Sequence, residues 1–223
     1  MQHTDGDHAC LAHAQINIKR MLDARCIAGV DQDVTIAGDD FLWAMTRGTA
    51  YLVVFVTDIN KKTLMAVMDF CRPEVTAELN DANNTSDAVD TLEFKGMNPT
   101  ECIDAEYKHN TTHCIIVYRN KCTPTAAKEM QSFEGIQIEP FKMDEVVVCP
   151  IDSKLVPEYH LLDNTEAQRV RDKFGESRLP TILTTDPVQR YYNGKVGDIY
   201  LVIARFGALQ AEYKYRVVRE PTT

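Results

Sequence analysis

The stretch Leu179–Arg205, LPTILTTDPVQRYYNGKVGDIYLVIAR, leaves the chain little freedom. Asp186 stands where a helix N-cap is wanted, Pro187 at the first helical position and Gln189 at the third, a variant of the capping box. Asn193-Gly194 supplies the positive φ of a following turn. LPTILTT before the cap and IYLVIARF after the turn read as strands. EYKYRVV is a further strand, and GALQA makes a hairpin with it. Tyr213, Tyr215 and Val217 share one of its faces, Lys214 and Arg216 the other. Upstream, Asp163 or Asn164 caps a helix with Ala167, Val170 and Phe174 on one side and Gly175 as its stop. No residue of the opening stretch looks like a nucleophile or a metal ligand.

The first part of the chain carries an α/β pattern. ACLAHAQINIKRMLDARCIA (9–28) predicts a helix with Leu11, Ile18, Leu22 and Ile16 as its stripe and Gly29 beyond its end. DDFLWAM predicts a short helix capped by Asp39 or Asp40, with Trp43 as a core anchor. YLVVFV (51–56) and TLMAVM (63–68) read as a β-hairpin. TAELNDANNTSDAVD reads as a loop, DTLEF as a strand, and residues 98–110 as a helix capped by Asn98 with Pro99. HCIIVYR (113–119) suits a covered strand. TPTAAKEMQ repeats the cap-then-proline device with Thr123 and Pro124, and IQIEPF and EVVVCPI complete the strand material. The expected class is α/β (α+β): an N-terminal domain over 1–150 with a small mixed sheet and helices, and a small α+β domain over 151–223.

Charge supports that division. The net charge is −9; residues 1–150 carry 13 Lys+Arg against 23 Asp+Glu, and residues 151–223 carry 11 against 10. An acidic chain repels a phosphate backbone, which disfavours free nucleic-acid binding. No apolar run is long enough to span a bilayer, and the polar, acidic start is unlike a secretory signal. Seven cysteines, an odd number without a C-x-x-C pair, predict free thiols in a reducing compartment rather than a disulfide framework or zinc site.

Catalytic patterns are missing: no G-x-S-x-G, Walker loop, H-E-x-x-H or G-x-G-x-x-G occurs. His113 and Cys114 are strand neighbours that point to opposite faces. His3, His8 and His13, five apart, do not share a helical face, and Asp39-Asp40, Asp104/Glu106 and Asp144-Glu145 read as solvated helix ends or edges. One place attracts anions in principle. Arg119, Lys121 and Lys128 surround the helix start at Thr123, where free N–H groups suit phosphate, although an ordinary βα turn explains them better.

LVPE at Leu155–Glu158, Leu179-Pro180, DPVQRYY at Asp186–Tyr192, Lys195, Gly197 and Tyr215-Arg216 keep an order that resembles one family. It is the fifth-largest subunit shared by eukaryotic nuclear RNA polymerases, whose C-terminal half matches a small subunit of archaeal RNA polymerases. HCIIVYRNKCTPTAAKEM resembles that family's strand–turn–helix, with Thr123-Pro124-Thr125-Ala126 as its turn. Tyr159, Asn193-Gly194, Val196 and the FGALQAE hairpin depart from the family pattern, as in a divergent member or a polymerase-specific paralogue.

The resemblance implies a non-catalytic subunit of a DNA-dependent RNA polymerase, nuclear or in a viral or cytoplasmic transcription machinery. It implies a C-terminal assembly domain docked on the largest subunit through Pro157, Glu158, Asp186, Pro187, Arg190, Tyr191, Tyr192, Lys195, Gly197, Tyr215 and Arg216. Tyr191 and Tyr192 fit either an interface or the small domain's own core. It further implies an N-terminal jaw domain near downstream DNA, with Arg119, Lys121, Thr123, Pro124, Thr125 and Lys128 closest to the duplex and only within the complex. No cofactor, metal, membrane or small-molecule substrate is expected. Two other readings are a free-standing transcription adapter and a hydrolase using Cys149 and His160.

Overall fold

The computed structural model describes residues 5–36, 38–71, 111–206 and 210–221. Two compact units emerge, Ala28–Met143 and a second that joins Met1–Ile27 to Asp144–Thr223. The sequence reading draws a single boundary at 150 and leaves the first helix with the N-terminal domain. Packing divides the chain differently because residues 144–152 are bonded to that helix, α1 (Asp5–Ala24). Asn17 Nδ2 donates to the carbonyls of Val146 and Val147 at 2.9 Å each, and Arg20 holds Asp152 through contacts of 2.8 and 2.6 Å. The step in charge at 150 records composition, not contact.

The Ala28–Met143 unit is built on a five-stranded sheet of order β1-β2-β3-β4-β5. Its strands are β1 (Asp31–Val34), β2 (Phe41–Arg47), β3 (Tyr51–Val56), β4 (His113–Tyr118) and β5 (Gln137–Lys142). The first two pairings are antiparallel and the last two parallel. Helices α2 (Lys61–Cys71) and α3 (Pro124–Ser132) follow β3 and β4. Leu64, Val67, Met68, Ala126 and Met130 pack on Leu52, Val54, Val56, Cys114 and Ile116, forming one core. Residues 52–56 and 114–117 are buried on both sheet faces, as central parallel strands require.

Two expectations fail in this unit. DDFLWAM is not a helix but most of β2, whose register Arg47↔Tyr51 to Phe41↔Val56 makes it the true hairpin partner of β3. TLMAVM is not a strand. Leu64, Val67, Met68 and Cys71 recur at helical spacing, and Asn60 caps the helix by accepting the Thr63 N–H at 2.9 Å. The loop, strand and helix expected between 76 and 110 lie outside the described residues. Gly29 does not close α1. That helix ends on Cys26, at φ 57°, with Cys26 N–H to Asp23 and Ile27 N–H to Leu22, a Schellman closure. Gly29 instead sits at φ 134° where a Cβ would meet the Gly48 backbone nitrogen at 2.6 Å.

The second unit carries a four-stranded sheet of order β6-β8-β9-β7. Its strands are β6 (Glu158–Leu161), β7 (Thr181–Leu183), β8 (Ile199–Phe206) and β9 (Gln210–Arg219). β8 pairs antiparallel with β6 and β9, and β7 lies parallel to β9. EVVVCPI, expected as a strand, forms α4 (Met143–Val147) and a 3-10 turn at Pro150–Asp152. Val146 and Cys149 are buried while Val148 is exposed, which suits helical spacing better than alternation. Helix α5 (Asn164–Phe174) is capped by Asp163, which accepts the Glu166 N–H at 2.8 Å. Its Ala167 and Val170 pack on Ile199 and Val217. The opposite sheet face presents Ile182, Tyr200, Val202 and Val218 to Tyr159 and to Tyr192 of α6 (Pro187–Tyr192). Six helices and two small mixed sheets among the described residues agree with the expected α/β (α+β) class.

Candidate docking and DNA-proximal surfaces

α6 is fixed at both ends. Asp186 accepts the N–H groups of Val188 at 2.9 Å and Gln189 at 3.5 Å, and Pro187 needs no acceptor. At the far end Asn193 takes the left-handed conformation at φ 53° and returns its N–H to Gln189. Arg25, just beyond α1, then donates from Nε to the Tyr191 carbonyl at 2.9 Å and from Nη2 to the Arg190 carbonyl at 2.7 Å. These are carbonyls that a helix end leaves open, and the guanidinium also meets the negative end of the helix dipole. A cap supplied from so far along the chain leaves no signal in the local sequence.

The turn works otherwise than its Asn-Gly pair suggests. Asn193 carries the positive φ, whereas Gly194 is needed for space. A Cβ there would collide with the Tyr200 hydroxyl and lie 2.9 Å from Gln189 Oε1. Gln189, though polar, is buried, and its Nε2 donates to the Gly194 carbonyl. Burial raises the Tyr200 phenol above its ordinary range, so it stays protonated.

The residues expected to dock divide between roles. Tyr191 is 5% exposed, sits edge-on to Tyr192 and is raised by burial first and by the neighbouring Cys149 thiol second. It is a core residue. Tyr192 is half-buried against Tyr200, with ring centroids 6.1 Å apart. Arg190 reaches Glu145 at 2.7 Å. Gly197 donates to Val218 and accepts from Arg171 at 2.8 Å, and the Lys195 N–H goes to Asp198 at 2.7 Å, leaving that lysine's side chain in solvent. Strand register places Arg216 opposite Tyr200, on the α6 face, whereas Tyr215 and Glu158 lie on the α5 face. Glu158 pairs with Arg205 at 2.7 Å, which holds its carboxyl below the usual range. Pro157 is half-buried at the entry to β6 and Asp186 half-buried at the cap, while Pro187 is exposed. Pro187 and Lys195 therefore remain exposed around α6, with Tyr192 and Arg216 half-buried beside them and Arg216 donating to the Thr181 carbonyl at 3.4 Å.

The turn after β4 is laced to the loop after β3. Arg119 N–H bonds Val56, Asn120 N–H bonds Thr57, Ile59 N–H bonds Lys121 and Thr123 N–H bonds Ile59, and Asp58 accepts the Lys121 N–H at 3.1 Å. Thr123 caps α3 by accepting the Ala126 N–H at 3.4 Å. The amides of Lys121 and Ala126 are thus already satisfied inside the chain, and the Asp58 carboxylate lies beside the first of them. What it presents outward is Lys121, Pro124, Thr125 and Lys128, with Arg119 and Thr123 half-buried.

No nucleophile is assembled by the thiols and imidazoles described. The Cys114 thiol is raised well above its ordinary value, by its hydrogen bond with Cys71 first and by burial second, and His113 instead stacks on Tyr51 at 4.5 Å. Cys149 faces Tyr191, while His160 is exposed beside Glu158 at 3.8 Å. Among the described residues no three His, Cys, Asp or Glu could hold a metal ion, and no helix is long and apolar enough to cross a membrane.

The family model described as RNA polymerase Rpb5, C-terminal domain, matches residues 150–218, the span that carries this geometry. DNA-directed RNA polymerases I, II, and III subunit rpabc1 of Dictyostelium discoideum is 32% identical over 106 residues, 45% of this chain and 54% of that protein. DNA-directed RNA polymerases IV and V subunit 5B of Arabidopsis thaliana is 26% identical over 117 residues, 52% and 53% of the two chains. The chain thus spans about half the length of these two relatives. DNA-directed RNA polymerase subunit Rpo5 of Methanosphaera stadtmanae is 39% identical over 72 residues, 31% of this chain but 94% of the archaeal protein. A match that takes in almost the whole of that small archaeal protein, together with the family model on the sheet and helices that hold α6, makes the chain a member of the Rpb5/Rpo5 family of RNA polymerase subunits.

Proposed function

We propose that this chain is a non-catalytic subunit of a DNA-dependent RNA polymerase that assembles with the other polymerase subunits, in the nucleus where its host is eukaryotic. The observation that carries the reading is the near-complete coverage of archaeal Rpo5 by this chain. The internally braced α6 supports a docking role, because a partner can be gripped without ordering the docking element at the time of binding. In this reading the α6 face, with Pro187 and Lys195 exposed and Tyr192 and Arg216 partly so, docks on the largest subunit. The Ala28–Met143 unit stands near downstream DNA with Lys121, Thr123, Pro124, Thr125, Lys128 and Arg119 toward the duplex.

The test is affinity recovery of the tagged full chain from its own cells. Stoichiometric recovery of the two largest polymerase subunits is expected, and Lys195→Glu with Arg216→Glu reduces it. Recovery of no polymerase overturns the subunit reading, and substoichiometric recovery replaces it with an adapter. Full recovery by the double variant overturns the docking face alone. Because the chain carries a net charge of −9, the isolated protein is expected to bind random duplex DNA weakly at physiological salt. A Kd below about 1 μM there overturns the view that DNA is met only within the complex.

A further inference from the structure

β9 is longer than its outer neighbour. β7 covers only Val217–Arg219, so Glu212–Arg216 has β8 on one side and no strand on the other among the described residues. A row of backbone donors and acceptors left at such an edge is a template for one more strand. Beside this edge lies a groove of about 450 Å³ between the end of α5, Leu179-Pro180 and β9. Phe174 and Tyr213 stay exposed in it, at 41% and 64%, and Tyr215 supports Phe174 with ring centroids 5.8 Å apart. Large aromatics left in solvent next to an open edge mark an interaction surface rather than a core.

The charge of the groove is one-sided. Lys173, Arg178 and Lys214 line it, and no lining residue is acidic. Lys214 is met by Glu212 at 3.0 Å, and Lys173 lies 5.1 Å over the Phe174 ring. In a chain of net charge −9 this basic rim is a local reversal, complementary to an acidic segment. A single nucleic-acid strand also combines negative charge with flat rings. It is disfavoured because Lys173 occupies a face of Phe174 on which a base would stack, and because the open backbone donors and acceptors of a strand edge match another peptide main chain and not a sugar–phosphate chain.

We propose that an acidic, extended peptide segment of another protein binds here by adding a strand to the free edge of β9 at Glu212–Tyr215. One of its apolar side chains sits between Phe174 and Tyr213, and its carboxylates meet Lys173, Arg178 and Lys214. The main chain supplies affinity, the aromatic slot sets the register and the rim selects for acid. Strand register places Tyr213 and Tyr215 on the sheet face away from Arg216, so this site and the α6 docking face are separately testable.

The test uses the ¹⁵N-labelled full chain and a short synthetic peptide of alternating Asp and Val with one central Phe. Saturable binding with amide shifts at Glu212–Tyr215 is expected. N-methylation of alternate peptide residues abolishes it, and Asn in place of Asp weakens it. Lys173→Glu with Arg178→Glu weakens binding about tenfold, as loss and reversal of rim charge should. Tyr213→Ser, at an exposed position, weakens it independently and leaves the thermal midpoint in place, and Tyr192→Ala leaves it unchanged. Absence of saturable binding, shifts confined elsewhere, or indifference to both charge reversal and Tyr213→Ser overturns the proposal. So does a thymidine oligonucleotide that displaces the peptide at equal or lower concentration, which reassigns the groove to nucleic acid.

Discussion

The chain starts two helices with the same device, Thr123-Pro124 for α3 and Asp186-Pro187 for α6, and uses them differently. Thr123 accepts one N–H at 3.4 Å; Asp186 accepts two, the shorter at 2.9 Å. Behind its cap, α3 buries Ala126 and Met130 and leaves Pro124, Thr125 and Lys128 in solvent. α6 buries Val188, Gln189 and Tyr191, and its far end is held by Arg25. A capped start thus says where a helix begins and nothing about its use. The residues behind the cap decide whether it is a display or a brace.

The sharpest way to break this contrast is to empty the brace. Tyr191→Ala removes a ring that is 5% exposed, and a loss of about 3 kcal/mol in unfolding free energy is expected in chemical denaturation. Thr125→Ala in the display helix is expected within about 0.5 kcal/mol of wild type. Equal losses in the two would erase the distinction. For the same reason, replacing Arg190, Tyr191 and Tyr192 together cannot separate docking from folding, whereas replacing the exposed Lys195 can. Next in size is Gly194→Ala. Its new methyl would collide with the Tyr200 hydroxyl and the Gln189 carboxamide, so about 2 kcal/mol is expected. Tyr200→Phe in the same chain should recover part of that loss, because the hydroxyl is the nearest atom in the way. No recovery would mean that backbone strain, not the hydroxyl, is the obstacle.

Much of the second unit is legible in the sequence because its signals are local. The caps Asp163 and Asp186, the stop at Gly175 and the alternation of Tyr213, Tyr215 and Val217 each act within a few residues. The failures arise where partners are distant or periods short. TLMAVM is apolar throughout and too short for its period to speak, and its cap, Asn60, stands outside the run. DDFLWAM becomes a strand because β3 is available to pair with it, which no local propensity states. EVVVCPI misleads because β-branched residues suit strands, whereas Asn17 holds two of its carbonyls in a short helix. The same limit governs the site. Asp186, Pro187 and Arg190 stand out in the sequence, but the burial of Tyr191, the cap from Arg25 and the carboxylate of Asp58 at the basic turn depend on contacts across the fold.

Smaller again is the difference between the caps themselves. Asp186→Ala is expected to cost about 1 kcal/mol and Thr123→Ala about half of that, since the longer bond satisfies a single donor. A reversed order would show that the display helix depends on its cap more than the brace does.

The smallest effect concerns how α1 is held to residues 144–152. Asp152 is depressed below the ordinary carboxylate range, chiefly by its hydrogen bond from Arg20. A depressed carboxyl adds stability above its unfolded value and loses it as pH falls through the folded value. Glu158, depressed by Arg205, acts in the same direction. Both pairs are solvent-exposed, so the contribution is slight and screened by salt. Arg20→Gln should therefore melt slightly below wild type at pH 7 in low salt, and the gap should close as the pH drops below the normal carboxylate range. Arg25→Gln removes the donors to the Tyr191 and Arg190 carbonyls, which do not titrate, so the part of its gap that these bonds supply should persist at acid pH. If both gaps close together, a carboxylate partner of Arg25, not its bonds to the two carbonyls, accounts for its contribution, and the hydrogen-bonded brace proposed for α6 is not what holds it.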